Sequence, residues 1–532
     1  MKNFLRAHPY LALFFITLAF RILTALPLEQ AGYMDASYTI HVAENLARGR
    51  GFVEDVLWNF LDKPIALPHP SNLYWMPLQS ILIAPFFALF GVSNRVAQIP
   101  FILLSSLLPL VAFHLARKIF NRADWAWSAA LFTAFSGFYT IYWVSPDSFT
   151  PFALFASLCL YLIARGAAEN SVRYFFLAGI LAALSHLSRA DGVLLLAVIP
   201  IALLLQKPRN PYRILLFTVY CLLGYMLLMT PWFARNYFAI GTPYPSAGTK
   251  TLWLLNYDEL FRYTDDLTPE RYFASGIGSI LNAKALAGVR NIFIVVFGDL
   301  QVFLAPFAIV GLWHLRKRVE FFPFFIYTLL LFLAMTLAFT LPSWRGSVLH
   351  SSTALLPFLA AAIPLGIEAT VGWIARRRGS WNSAQASRFF RIGFVALAIA
   401  LSGYLYEEGV YGWFTRGSTE IPLWNQRDSH YPLVARWLDE NGRADGVVMV
   451  VDPPSFYNFS HRRAIMIPTD ENTDAIFRAA RQFHARYLIL EFDHPRPLSD
   501  LYAQRGDVPG LTRVADFRDA LDHPVFLYEV AP

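Results

Sequence analysis

Apolar runs of about twenty residues, separated by short polar turns, recur through the first three quarters of the chain. The last quarter instead alternates amphipathic and fully apolar stretches. Runs of spanning length lie at about 8–27, 95–117, 125–145, 148–165, 172–188, 191–206, 212–232, 291–313, 321–341, 351–374 and 391–409. From about 410 onward, "HYPLVARWLDENG" and "TDAIFRAARQFHA" have the periodicity of amphipathic helices, and "GVVMVVDPP", "RYLILEF" and "PVFLYEVA" that of buried strands. The pattern predicts a polytopic α-helical membrane domain over 1–409 and a small soluble α/β domain over 410–532.

One segment is ambiguous. "LQSILIAPFFALFGV", from Leu78, is apolar but short, and Pro85 interrupts it. Charge resolves it. If it does not cross, Arg117 and Lys118, Arg165 and Arg173, Lys207 and Arg213, Arg316 to Arg318 and Arg376 to Arg378 all fall in loops on one side. If it crosses, every later loop inverts and the basic residues land on the wrong face. The expectation is therefore eleven spans, with a cytoplasmic N-terminus, an extracytoplasmic C-terminal domain and 78–92 as an outer juxtamembrane helix. Two outer loops are long, about 28–94 and 233–290, and loops of that length usually carry function.

Composition agrees with the pattern. The 532 residues are 56% hydrophobic and only 15% charged, and the mean hydropathy is +0.42. The net charge of +7 lies in inter-span loops, where it sets orientation, so nucleic acid is not an expected partner. The two cysteines, Cys159 and Cys221, sit in apolar runs and predict neither a disulfide framework nor a thiolate metal site. Lys2 and Arg6 precede a first apolar run without a small-residue cleavage site, which reads as a retained span.

Under this topology one group of charged residues collects at the outer ends of the spans. Asp35 follows span 1, and Asp147 sits in the turn "SPDSF" between spans 3 and 4. Arg189 and Asp191 occupy "SRADG" between spans 5 and 6; Arg235 follows span 7, and Arg345 and His350 lie in "SWRGSVLHSS". Each has a plain structural alternative. Asp147 and Asp35 are placed to cap helices, Arg189 and Asp191 to pair with each other, and Arg235 to anchor at the interface beside Trp232. His41 and Glu44 have a spacing a metal could use, although a solvated helix face explains them better. "GTPYPSAGT" from Gly241 reads first as a turn-rich loop. Asp452 and His461 read as ordinary polar residues of the soluble domain, and Asn458-Phe459-Ser460 is a short glycosylation-type pattern. Taken together, a carboxylate with cationic neighbours at the lipid–water boundary suits a substrate with a phosphate head and an apolar tail.

The stretches "YMDASYTIHVAENLARGRGF", "HPSNLYWMPLQSILIAPFFALFG" and "SPDSFTPF", with the late outer loops and the C-terminal domain, resemble the GT-C membrane glycosyltransferases. The branch they resemble contains the protein O-mannosyltransferases and the lipid A aminoarabinose transferases. The resemblance implies a transferase that uses a polyprenyl-phosphate sugar, works beside membrane lipid, and serves a glycan, lipid or protein acceptor. It implies that Asp35 is the catalytic carboxylate and Asp147 a second active-site acid. The family's basic phosphate-binding residue matches either Lys63 or His69, while the charge clustering itself puts donor-phosphate binding on Arg189, Arg235 and Arg345, with Tyr74, Trp75 and His350 expected in the pocket. Ala36 and Ser37 follow Asp35 where the family usually has a further charged residue, so a paired-carboxylate metal site is not implied there. A divalent metal stays open, and no other cofactor is expected. The competing readings are a lipid or lipid-linked sugar transporter, which would favour broken helices and repeated halves, and a non-catalytic anchor presenting the C-terminal domain.

Overall fold

The structure is a computed structural model. It describes residues 7–205, 210–344, 346–379, 381–416, 421–443 and 446–531. Lys2, Arg6, Lys207 and Arg345, which enter the sequence argument, lie outside the described residues.

Among the described residues, seven helices are long and apolar enough to cross a membrane: Asn94–Phe120, Phe149–Glu169, Pro211–Ile240, Ile277–Asp299, Val319–Ala338, Val348–Arg378 and Ser383–Val410. Five shorter apolar helices accompany them, Pro9–Ala25, Leu78–Phe90, Val172–Ser188, Ala190–Leu205 and Ala305–Leu315. The helix Leu78–Phe90 is about 20 Å long, too short for the roughly 30 Å hydrocarbon layer. It packs along the helix Met34–Ala47, where Ser80 Oγ donates to the Thr39 carbonyl at 3.0 Å.

Close packing of the bundle depends on small residues. A Cβ at Gly179 would lie 2.0 Å from the Cys221 carbonyl oxygen, and one at Gly224 2.1 Å from that of Phe176. The helices Val172–Ser188 and Pro211–Ile240 therefore meet backbone to backbone.

Two of the expected continuous spans are interrupted. The run 125–145 forms the helices Ala123–Ala134 and Tyr139–Tyr142, and the run 291–313 is split between Ile277–Asp299 and Ala305–Leu315. At the ends of the expected outer loop 233–290 one long helix continues to Ile240 and the next long helix begins at Ile277, with the short helices Ala247–Lys250 and Pro269–Ala274 between them. Long apolar runs do not register such breaks, because the side chains that satisfy the freed backbone groups come from distant helices.

Beyond the last long helix lies a six-stranded sheet. Its order is Val56–Leu57, Ala464–Met466, Val447–Val450, Ala485–Leu490, Pro524–Val530 and Leu511–Arg518. The first four strands are parallel and the last two pair antiparallel. The apolar runs at 447–450, 485–490 and 524–530 make its buried centre, and the amphipathic helices His430–Glu440 and Asp474–Phe483 cover it. The edge strand Val56–Leu57 comes from the segment between the helices Met34–Ala47 and Leu78–Phe90, so that segment and the sheet are one packed unit. Ser37 Oγ lies 2.9 Å from Ser455 Oγ, and Asn458 Nδ2 donates to the Ser37 carbonyl at 3.1 Å. These contacts seat the sheet region on the helix that carries Asp35, and they commit the Asn458 amide.

Candidate active site

Asp35 stands in the first turn of Met34–Ala47, and the chain before it is fixed from the C-terminal side. Gly32 has φ +79°, and a Cβ there would lie 2.3 Å from the Trp424 ring, so glycine answers two demands at once. Trp424 Nε1 donates to the Gln30 carbonyl at 2.9 Å, Arg427 Nη1 to that of Gly32 at 3.2 Å, and Asn425 Oδ1 accepts the Glu29 N–H at 2.9 Å. Segment 421–427 thus clamps the turn that delivers Asp35.

Asp147 is buried between the helices Tyr139–Tyr142 and Phe149–Glu169. One of its oxygens accepts the Ser148 N–H; the other lies 3.2 Å from the Tyr33 hydroxyl and 3.4 Å from His350 Nε2. Burial pushes its pKa up, but His350, the Ser148 N–H and Arg189 together hold it below the usual carboxylate range. Burial and the Asp147 charge push the Tyr33 phenol well up, so Tyr33 is a proton donor here. His350 stacks on Phe149 with ring centroids 4.0 Å apart. Ligand-type atoms of Asp35, Asp147 and His350 all lie within 4.8 Å of one another.

These three residues line a cavity of 370 Å³. Arg189 lines it too, with its Nε 3.1 Å from Asp191 Oδ1 and 3.2 Å from Ser351 Oγ, and its Nη1 3.3 Å from Ser148 Oγ. The Arg189–Asp191 pair of the plain reading therefore exists, inside the site. Tyr74 and Trp75 form part of the wall, and Trp75 stacks on Trp58 at 3.8 Å. The apolar side is lined by Leu194, Met229, Trp232, Phe233, Met335 and Phe339. The turn-rich "GTPYPSAGT" contributes Tyr244, Pro245, Gly248 and Thr249 to the lining.

Other candidates lie elsewhere. Lys63 is exposed and paired with Asp265 at 2.5 Å. His69 is held between Asp62 Oδ2 at 2.9 Å and Glu54 Oε1 at 3.3 Å, and Tyr38 donates to Glu54 Oε2 at 2.5 Å. Burial alone would lower His69; the two carboxylates outweigh it and push the imidazole up to about 9. Neither Lys63 nor His69 lines the cavity. Arg235 stands beside it: Nη2 donates to the Phe52 carbonyl at 2.7 Å, and the guanidinium lies over the Phe52 and Trp232 rings. Arg345 lies outside the described residues. His41 is buried, its Nε2 accepting the Asp55 N–H, and Glu44 pairs with Arg48, so these two do not act together. In the sheet region, Asp452 accepts from the Ser455 N–H and hydroxyl as a helix cap, and His461 ends that helix.

Sequence reasoning missed Gln79, His186 and Asn236, all in the cavity wall. Gln79 Nε2 donates to the Ser188 carbonyl at 2.8 Å, and the Tyr225 hydroxyl lies 2.5 Å from His186 Nδ1. His186, three positions before Arg189 on a short apolar helix, was the one visible signal among them.

Two carboxylates and an imidazole are a donor set that suits a divalent cation. Asp147 Oδ1, however, already accepts the Ser148 N–H, and Oδ2 faces both the Tyr33 hydroxyl and His350 Nε2, so three protein groups already address this carboxylate. The same three groups equally suit proton abstraction from a hydroxyl.

Residues 68–234 match the sequence model of the family described as dolichyl-phosphate-mannose-protein mannosyltransferase. No curated protein matches the chain in sequence. Among solved structures, ArnT from Cupriavidus metallidurans bound to undecaprenyl phosphate is similar over 98% of this chain and 98% of its own, at 13% identity and a TM-score of 0.56. The apo form of that protein is similar over the same shares at 11% identity and a TM-score of 0.58. The oligosaccharyltransferase AglB from Archaeoglobus fulgidus, in complex with an inhibitory peptide and a dolichol-phosphate, is similar over 98% of this chain and 74% of its own, at 13% identity and a TM-score of 0.53. The structural likenesses extend over 98% of the chain and the family match over residues 68–234: the chain has the fold of ArnT and AglB, and within it a segment that matches the mannosyltransferase family.

Proposed function

We propose that this protein transfers a sugar, with inversion, from a polyprenyl-phosphate carrier to a hydroxyl-bearing acceptor on the extracytoplasmic side of the cell membrane. The observation that carries this reading is the convergence of Asp35, Asp147 and His350 in one cavity that also holds Arg189 and an apolar wall. An anionic head and a lipid tail need that combination of a cation and an apolar side. The similar structures of ArnT and AglB contain undecaprenyl phosphate and dolichol-phosphate, which supports the carrier class.

In this mechanism Arg189 holds the donor phosphate. Asp35 accepts the acceptor's proton as its oxygen bonds to the anomeric carbon, while the bond from that carbon to the phosphate oxygen breaks and polyprenyl phosphate leaves. Asp147, kept ionised by His350 and Ser148, stabilises positive charge developing on the sugar. Tyr74, Trp75 and Trp58 offer aromatic faces to the sugar ring.

The assignment of 1–409 as the transferase domain and 410–532 as an extracytoplasmic domain belongs to the same proposal, with the N-terminus in the cytoplasm. The sheet region acts on acceptor access and holds the Asp35 turn in place. The transporter reading draws on the two broken spans. Arg21, Gln301 and Ser402 satisfy backbone groups at the break near Phe135, which favours a structural role for it. The test is to supply the purified protein with a panel of polyprenyl-phosphate sugars and candidate acceptors. Release of polyprenyl phosphate coupled to one glycosylated product supports the reading; movement of intact donor across a bilayer without cleavage overturns it.

A further inference from the structure

Asp299 is a buried carboxylate that the proposed mechanism does not use. It is 4% exposed, stands at the end of the helix Ile277–Asp299, and an ionisable group placed there is costly. Its Oδ1 accepts from the Ser352 hydroxyl at 3.2 Å, and its Oδ2 is buried. The Tyr139 hydroxyl donates to the Leu349 carbonyl at 3.0 Å and lies 3.5 Å from Ser352 Oγ. It fits there because residue 298 is glycine: a Cβ at Gly298 would lie 3.3 Å from the Tyr139 hydroxyl.

The two helix breaks are joined at this point. At the first, the freed carbonyls of Ala134 and Phe135 accept from Arg21 Nη2 at 3.1 Å and Gln301 Nε2 at 2.8 Å, and the Gly137 N–H donates to Ser402 Oγ at 2.8 Å. At the second, Gln301 and Val302 both have positive φ, 48° and 61°, which turns the chain directly after Asp299. Non-helical backbone inside a membrane domain persists only where protein satisfies it, and here Gln301 of the second break satisfies the Phe135 carbonyl of the first. The first break leads by way of Tyr139 to Asp147. The second presents Asp299 to residues 349–352, whose other side carries His350 against Asp147 and Ser351 against Arg189 and Asp191.

We propose that Asp299 is a positioning residue, which through Ser352 fixes the 349–352 turn so that the His350 ring faces Asp147. This rests on the reading of Asp35, Asp147 and His350 as the reacting centre, and the experiment is chosen to separate the two. Asp299→Leu removes the acceptor of the Ser352 hydroxyl. Asp299→Asn keeps an oxygen for it and exchanges the second oxygen for an amide NH2. The first measurement is the rate at which diethyl pyrocarbonate modifies His350, quantified by peptide mass spectrometry on folded, monodisperse protein; it requires no turnover. Asp299→Leu is expected to raise that rate at least fivefold and Asp299→Asn to leave it within twofold. In the transfer assay Asp299→Leu should lower kcat about 10- to 100-fold, the scale of a misplaced reacting group, with the donor KM changed less than threefold. A purely structural role would instead lower thermal stability and leave kcat per folded molecule unchanged. Should Asp299→Leu fail to fold, Ser352→Ala removes the same hydrogen bond and carries the same expectations. Unchanged His350 reactivity in the folded variant, or equal effects of Leu and Asn, would overturn the proposal. Absence of transfer by the wild-type protein would overturn the transferase mechanism and leave the His350 measurement to decide this one.

Discussion

His350 Nε2 lies 3.4 Å from Asp147 Oδ2, while the same ring stacks at 4.0 Å on Phe149, two positions further along. The histidine is thereby held by the carboxylate at its edge and by a ring across its face, and it fixes the orientation of the aspartate in return. His350→Ala should lower turnover by about 10- to 100-fold, the scale lost when a reacting group is misplaced, with the protein still folded. His350→Phe, which keeps the stack and loses the contact with Asp147, should be nearly as poor. Recovery of wild-type kcat by His350→Phe would show that stacking alone is needed.

Arg189 is the cation placed to meet the donor phosphate. One charge-assisted contact is worth about 1.5–3 kcal/mol, so Arg189→Ala should weaken binding of polyprenyl phosphate by about 10- to 100-fold. Arg189→Lys should recover only part of this, because an ammonium cannot reproduce the guanidinium's fork. Equal affinity of wild type and Arg189→Ala in a direct binding measurement would move the phosphate elsewhere in the cavity.

Backbone contact between the helices Val172–Ser188 and Pro211–Ile240 predicts a sharp contrast among glycines. Gly179→Val, set against the Cys221 carbonyl, should cost about 1–3 kcal/mol or more through overpacking and lower the melting temperature in detergent. Gly393 faces open space, and Gly393→Ala on the last long helix should be neutral or slightly stabilising. Equal tolerance at both positions would contradict the close helix contact.

The His69 cluster predicts a direction for stability with pH. Its folded pKa of about 9 lies above the unfolded value of roughly 6.5. The folded protein therefore binds more protons between those values. The contribution of His69 is full below about pH 6.5 and is lost as pH rises toward 9. Glu54, Asp62 and Tyr38 are the groups that face it. Melting temperature should fall across that window in wild type and vary less in His69→Gln; parallel curves would show that the cluster does not govern it.

How much of this was legible in the sequence depends on how local each cause is. The sidedness of Lys and Arg, summed over many loops, was enough to put Asp35, Asp147, Arg189 and His350 at one end of the bundle, and these four line one cavity. The helix Leu78–Phe90 was identifiable by length and charge alone. The break near Phe135 was not, because its partners Arg21, Gln301 and Ser402 are distant in sequence and sit in runs that are otherwise apolar. Nor was the fate of Lys63, which depends on Asp265, about two hundred positions away. The strand Val56–Leu57 is only two residues long, and only its partner Ala464–Met466 makes it a strand. His69 shows the same limit, since the cluster that holds it has no signature beyond its separate acidic residues.

If Asp147, already addressed by Ser148, Tyr33 and His350, serves charge stabilisation and Asp35 serves proton transfer, turnover should survive prolonged treatment with a strong chelator. Loss of activity that manganese or magnesium restores would assign Asp35, Asp147 and His350 to a cation instead.

The central claim is that Asp35 takes the acceptor's proton. Loss of a general base typically costs about a hundred- to ten-thousandfold in rate. The most direct measurement compares Asp35→Asn with wild type in one nanodisc preparation, recording donor affinity and single-turnover rate on each. Asparagine keeps size and polarity but does not accept the proton. The account predicts a rate at least about a hundredfold lower, with donor affinity largely retained because Arg189 holds the phosphate. A single-turnover rate close to wild type would contradict it and leave Asp35 as the first-turn carboxylate of a helix.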